Sequence, residues 1–197
     1  MNLSVRPALL LLVALLSAGA ATAGSASDPR QELHKAFVQN LALKSYKATM
    51  TDLKSNRTAS TVEFQAPNSY RITVPGQAVS VIIDDVMYLT HDGKTMKVPM
   101  PKGTIGQFRN EATIAELEKG ARVTSIGPGL VGKEPAVKYG FVTASGGDQA
   151  NSTAWISARN GHVLMVETAG KHGGRDYAMR VVYSDFDSPL IRITAPH

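Results

Sequence analysis

The chain has 197 residues, a formal charge of +5, 43% hydrophobic and 19% charged residues, and no cysteine. It is long enough to build a core of its own and too apolar for a disordered segment. The lack of cysteine excludes disulfides, thiolate metal sites, cysteine nucleophiles and a lipidated N-terminal cysteine, and 6% aromatic content argues against a stacking platform for nucleic acid.

Residues 1–23 have the order of a secretory signal peptide. Arg6 supplies the positive end, Ala8 to Leu16 an apolar run too short to span a bilayer comfortably, and Ala21-Thr22-Ala23 a small-residue cleavage site. Cleavage is expected before Gly24, with Ala26/Ser27 as the alternative site and an uncleaved anchor as the competing reading. Residues 24–197 then form a single domain, with no permanent membrane anchor after cleavage. An exported chain without cysteine suits a bacterial periplasm. Its basic residues are spread along the chain with no run of five, so no nucleic-acid partner is expected, whereas a modest attraction to anionic head groups stays open.

Asp28-Pro29 opens the domain as a helix cap followed by proline, with Gln31 placed to complete a capping box. Leu33, Ala36, Phe37, Asn40 and Leu41 recur at helical spacing, which predicts one buried face. After Lys44 the period becomes two. Tyr46, Ala48 and Met50, then Val62 and Phe64, then Tyr70, Ile72 and Val74, then Val79, Val81 and Ile83 each alternate with polar residues, apart from Ile82 in the last run. Asn56-Arg57, Pro67-Asn68, Asp84-Asp85 and Asp92-Gly93 supply the turns, and Met87 to Thr90 and Thr95 to Met100 continue the hairpins.

Met100-Pro101-Lys102-Gly103 breaks the sheet, and Asn110 to Lys119 reads as a second helix that stops at Gly120. Strands resume at Arg122 to Ile126, pause at Gly127-Pro128-Gly129 and run on through Ala136 to Ala144. Thr153 to Ala158 and His162 to Thr168 flank the turn Arg159-Asn160-Gly161, Asp176 to Ser184 follows, and Leu190 to Thr194 is expected as a closing strand. The predicted class is α+β, mainly antiparallel β: about eleven strands in a strongly curved half-barrel sheet, with the N-terminal helix and one further helix over its concave face.

Ala66-Pro67-Asn68-Ser69-Tyr70-Arg71-Ile72, Ile82-Ile83-Asp84-Asp85-Val86-Met87-Tyr88 and Lys94-Thr95-Met96-Lys97-Val98-Pro99 resemble the early strands of the LolA/LppX-like superfamily of periplasmic lipoprotein and lipid carriers. Ala154-Trp155-Ile156-Ser157 with Gly161-His162, Tyr183-Ser184-Asp185-Phe186-Asp187 and Ile193-Thr194-Ala195-Pro196 are similar to its late strands, in the same order. The resemblance implies a half-barrel whose apolar cavity accepts acyl chains. Burying a methylene group is worth about 0.8 kcal/mol, so a sixteen-carbon chain gains roughly 12 kcal/mol gross without any polar chemistry.

The residues expected to line that cavity are the apolar members of successive strands: Met50, Val62, Phe64, Tyr70, Ile72, Val81, Ile83, Met87, Leu89, Met96, Trp155 and Met165. Leu33, Phe37 and Leu41 are the expected lid contacts of the first helix. For each of these the competing reading is a plain core residue. Arg71 is read as a solvated arginine on the outer face, with an acid or a head group as its other possible partner.

No catalytic motif is present, and the five histidines lack metal-ligand spacing, so neither an enzyme nor a cofactor is expected. The leading reading is a non-enzymatic carrier of lipid or lipoprotein acyl chains. Its alternative is an envelope-sensing module that docks an envelope protein on the same fold without transport. A secreted hydrolase would instead need His91-Asp92, Lys171-His172, Asp84-Asp85 or Asp185/Asp187 to converge in one pocket.

Overall fold

The structure is a computed structural model that describes residues 28–91, 94–101, 114–115, 119, 121–145 and 148–196. The expected signal peptide lies outside these residues. Of the second helix expected over 110–119, only Ile114, Ala115 and Lys119 fall within them, and Ile114 is buried.

Helix α1 spans Pro29–Leu41. Asp28 caps it: Oδ1 accepts the Arg30 N–H at 3.0 Å, and proline follows where a missing N–H costs nothing. Leu33, Ala36, Phe37 and Asn40 form its buried face, with Leu41 half-buried beside them. Residues three and four apart share one side of a helix, so this stripe is what the sequence spacing requires.

Eleven strands follow among the described residues: β1 (Ser45–Asp52), β2 (Arg57–Gln65), β3 (Ser69–Thr73), β4 (Ser80–Ile83), β5 (Val86–His91), β6 (Lys94–Pro99), β7 (Val123–Val131), β8 (Glu134–Ser145), β9 (Asp148–Ser157), β10 (Val163–His172) and β11 (Arg175–Ser184). They make one antiparallel sheet in the order β6-β5-β4-β3-β2-β1-β11-β10-β9-β8-β7. Each half is a meander, and the halves join where β1 pairs with β11. β6 and β7 remain as edges, so the sheet is open. Pro128 and a register shift between Ser125 and Gly127 interrupt β7, features that discourage edge-to-edge pairing.

Two expectations are corrected here. Gly127-Pro128-Gly129 does not end a strand but lies inside β7, where the irregularity absorbs it. Leu190–Thr194 is no strand. It belongs to a tail held by side chains, in which the Ile193 N–H donates to Gln65 Oε1 at 2.6 Å and Arg71 Nη2 donates to the Arg192 carbonyl at 2.9 Å. The expected turn at Arg159-Asn160-Gly161 is present, with Gly161 at a φ of +76°, a conformation that L side chains rarely adopt.

The core has two parts on one face of the sheet. Leu33, Ala36 and Phe37 of α1 pack with Phe141, Ala154, Ile156 and Val163, and Phe37 meets Phe141 edge-on with ring centroids 6.2 Å apart. Leu43, Tyr46, Ala48, Val62, Phe64, Tyr70 and Ile82 form the second part. Because α1 rests on β7, β9 and β10, the helix serves the first part, and the second is built on β1 to β4.

Candidate functional site

Residues paired across neighbouring strands point to the same face of a sheet. Tyr46, Phe64, Tyr70, Ile82, Met87 and Val98 are successive partners from β1 to β6 and form one row. Tyr183, Ala48, Val62, Ile72, Ser80, Leu89 and Met96 form the next. Met50 begins a third, opposite Val181 on β11, which faces Val166 on β10 and then Ala154. Ala154 packs against the helix, so all three rows belong to the face that carries α1, here termed the inner face.

Burial divides this face. Phe64, Tyr70 and Ile82 are fully buried, with Tyr46 and Phe64 at 5.0 Å between ring centroids and Phe64 and Tyr70 at 5.2 Å. Tyr183 closes on Tyr46 edge-on at 5.7 Å. This aromatic block is solid core. Toward β5 and β6 the same rows come out into solvent: Ile72, Met87 and Leu89 are half-buried, Val98 is 41% exposed and Met96 60% exposed. Met50 is half-buried, and its Sδ accepts a hydrogen bond from Ser60 Oγ at 3.2 Å. The inner face is therefore an apolar strip that is sealed at the aromatic block and open toward one sheet edge. Flexible methionine thioethers in the open part suit a surface that repacks around what it touches.

Eight of the expected lining residues fall on this face: Met50, Val62, Phe64, Tyr70, Ile72, Met87, Leu89 and Met96. Four fall on the other. Val81 lies opposite Arg71 and Ile83 opposite Ser69, while Trp155 and Met165 pair with each other and with Lys138 and Val182 on the outer face. The physical reason is register. With Ile83 opposite Val86 across the Asp84-Asp85 turn, Met87 is bound to face with Ile82 and not with Val81 or Ile83. That arithmetic was available in the sequence and identifies Ile82 as inward. Val98 follows from Met87 by the same rule. Of the lid residues, Leu33 and Phe37 are buried and Leu41 is half-buried, but all three serve the β7 to β10 half of the face.

The outer face also carries ion pairs. Arg71 Nη1 donates to Glu63 Oε2 at 2.6 Å, so the arginine faces an acid, and Arg180 meets Glu167 at 2.6 Å. Arg159 reaches Glu134 at 3.3 Å. Among the described carboxylates, Asp52 is held below the usual range chiefly by the Lys54 backbone N–H that it accepts at 2.8 Å.

The polar pairs singled out in the sequence are dispersed. Asp84-Asp85 forms the β4–β5 turn, Asp185 and Asp187 follow β11, and Lys171-His172 ends β10 at the opposite end of the sheet. Asp84, Asp185 and Asp187 have φ values of 51° to 54°, a turn conformation that aspartate tolerates. His91 belongs to β5, and Asp92 lies outside the described residues. Among the described residues no three His, Asp or Glu side chains come together in a way that would hold a metal ion. Nor is any described helix long and apolar enough to cross a membrane.

An open antiparallel sheet of eleven strands with a helix on one face defines a recognisable class of fold, and solved structures share it. No family model and no curated protein matches the sequence. LprF from Mycobacterium bovis superposes with a TM-score of 0.63 at 14% identity, over 86% of this chain and 96% of that one. The Mycobacterium tuberculosis lipoprotein LppX gives 0.62 at 12% identity, over 86% of this chain and all of that one. At such identities the likeness is one of fold: the chain shares the fold of LprF and LppX.

Proposed function

We propose that the protein is a non-enzymatic envelope carrier, acting in the periplasm after export, that binds an acyl chain of a lipid or lipoprotein along the open part of its inner face. The observation that carries this reading is the continuation of one apolar row from sealed core into solvent, from Phe64 through Tyr70 and Ile82 to Met87 and Val98. A contiguous apolar strip that reaches solvent, unlike a single exposed hydrophobic residue, marks a binding surface. An acyl chain laid along this strip removes methylenes and exposed methionine from water together, at about 25 cal/mol per Å² of apolar area. The ligand needs no cofactor and no charged partner inside the site.

Protein purified from a periplasmic extract tests this directly. Native mass spectrometry and solvent extraction are expected to find a bound acyl species. A well-folded empty protein that also ignores fluorescent fatty-acid probes would overturn the reading.

A second reading rests on the aromatic block. Tyr46, Phe64, Tyr70 and Tyr183 fill their part of the inner face with the chain's own side chains, as a docking or sensing module without transport requires. That reading expects a specific envelope protein in crosslinking and no bound lipid.

A further inference from the structure

Among the described residues, four arginines are matched with acids: Arg30 with Asp28, Arg71 with Glu63, Arg159 with Glu134 and Arg180 with Glu167. The β1–β2 and β10–β11 hairpins point to one end and lie side by side, since β1 pairs with β11 and the Leu53 N–H donates to the Ala178 carbonyl at 2.9 Å. These hairpins carry Lys54, Arg57, Lys171 and Arg175, all exposed and none in an ion pair among the described residues. Two acids, Asp52 and Asp176, lie on the same hairpins and leave the four cations in excess. Asp52 is turned back onto the N–H groups of Lys54 and Ser55, and Asp176 offers Lys54 Nζ only its backbone carbonyl, at 2.6 Å.

At the same end, two strands along from β1, the β3–β4 turn is Val74-Pro75-Gly76-Gln77-Ala78-Val79. It has no charge, and Pro75 is exposed and Val79 40% exposed. Cationic hairpin tips beside a small uncharged apolar loop are the chemistry of an interfacial contact. The cations are drawn to lipid phosphates, and the loop seats in the head-group layer.

We propose that this end of the sheet docks on the surface of an anionic lipid bilayer, through Lys54, Arg57, Lys171 and Arg175 with the Val74–Val79 turn as the apolar contact. The proposal stands on charge and exposure and does not depend on an acyl chain being carried. Attraction of this kind falls within about a Debye length, roughly 8 Å at physiological salt, so it is reversible and salt-sensitive.

Co-sedimentation of the purified protein with mixed phosphatidylglycerol/phosphatidylcholine vesicles, against pure phosphatidylcholine vesicles, tests it. The expected result is selective binding to the anionic vesicles that weakens with salt. The triple variant R57E/K171E/R175E is expected to lose binding by at least roughly fivefold per residue, the effect of one basic side chain at such a surface. The milder R57Q/K171Q/R175Q is expected to fall between the two, and K133E/R192E, at the other end of the sheet, to bind as wild type. Equal binding to both vesicle types, or equal loss from both sets of reversals, would overturn the proposal. So would charge reversals that weaken retention on heparin but leave vesicle binding intact, which would assign the patch to a soluble polyanion.

Discussion

Asn40 and Val163 exchange a pair of hydrogen bonds between helix and sheet: the Val163 N–H donates to Asn40 Oδ1 at 3.1 Å, and Asn40 Nδ2 donates to the Val163 carbonyl at 3.4 Å. A helix side chain thus takes the place of a strand at the start of β10. Both residues are buried, so neither backbone group has water as an alternative. Asn40→Leu keeps the branching and the number of side-chain heavy atoms but removes both hydrogen-bonding groups, and is expected to cost about 2 to 4 kcal/mol in urea unfolding. Asn40→Asp retains the acceptor and should unfold at a lower urea concentration than wild type, since it loses the donor and buries a charge. A midpoint for Asn40→Leu equal to wild type would show that α1 is held by its apolar face alone.

The sealed and the open parts of the inner face are expected to respond oppositely to substitution. Phe64 is fully buried against Tyr46 and Tyr70, so Phe64→Ala should cost about 3 to 5 kcal/mol by leaving a cavity. Met96 is mostly exposed, so Met96→Ala should change stability by less than about 1 kcal/mol. In titrations with a fluorescent fatty acid, Met96→Glu is expected to weaken binding several-fold with an unchanged melting temperature. If Met96→Glu binds the probe as wild type does, the open part of the strip is not where the chain lies.

Most of the fold was legible because period and turn chemistry agree locally. Tyr46, Ala48 and Met50 alternate cleanly, and Asp84-Asp85 and Arg159-Asn160-Gly161 mark their turns. The inward face was harder where strands are apolar on both sides. Ser80-Val81-Ile82-Ile83 and Val163-Leu164-Met165-Val166 give no periodic signal, and only pairing with a strand of known face decides them. The same limit misplaced Trp155, a large residue whose smaller neighbours Ala154 and Ile156 meet the helix. The tail at Ile193 read as a strand because its apolar pattern is real: Ile193 is buried, but its N–H is satisfied by a side chain and not by a ladder. The join of β1 to β11 has no local signature, since the two strands are far apart in sequence.

Arg71 links the outer face of β3 to this tail, bonding Glu63 with one nitrogen and the Arg192 carbonyl with another. The ion pair is partly exposed, so Arg71→Ala should cost only about 1 kcal/mol in global stability. Its larger effect is expected locally. Limited trypsin digestion should cut after Arg192 faster in Arg71→Ala than in wild type, while cleavage within the sheet is unchanged. Equal rates would mean that the Ile193 to Gln65 hydrogen bond holds the tail by itself.

Tyr139 lies on the inner face of β8, beside the α1 cluster, and its phenol titrates above the ordinary tyrosine range, first because it is partly buried and then because Glu32 of α1 is near. Both causes disfavour the phenolate in the folded chain. The contribution of Tyr139 to stability is therefore fully present below the unfolded tyrosine value, about pH 10, and is lost as pH rises through the higher folded value. In absorbance titration of the folded protein, Tyr139→Phe is expected to remove one late-ionising phenol. Glu32→Gln should move the step to lower pH without abolishing it, because burial is the larger cause. Across the same range the urea midpoint of Tyr139→Phe should fall less steeply than that of wild type. Parallel curves would show that α1 no longer covers Tyr139 by the time the phenol ionises.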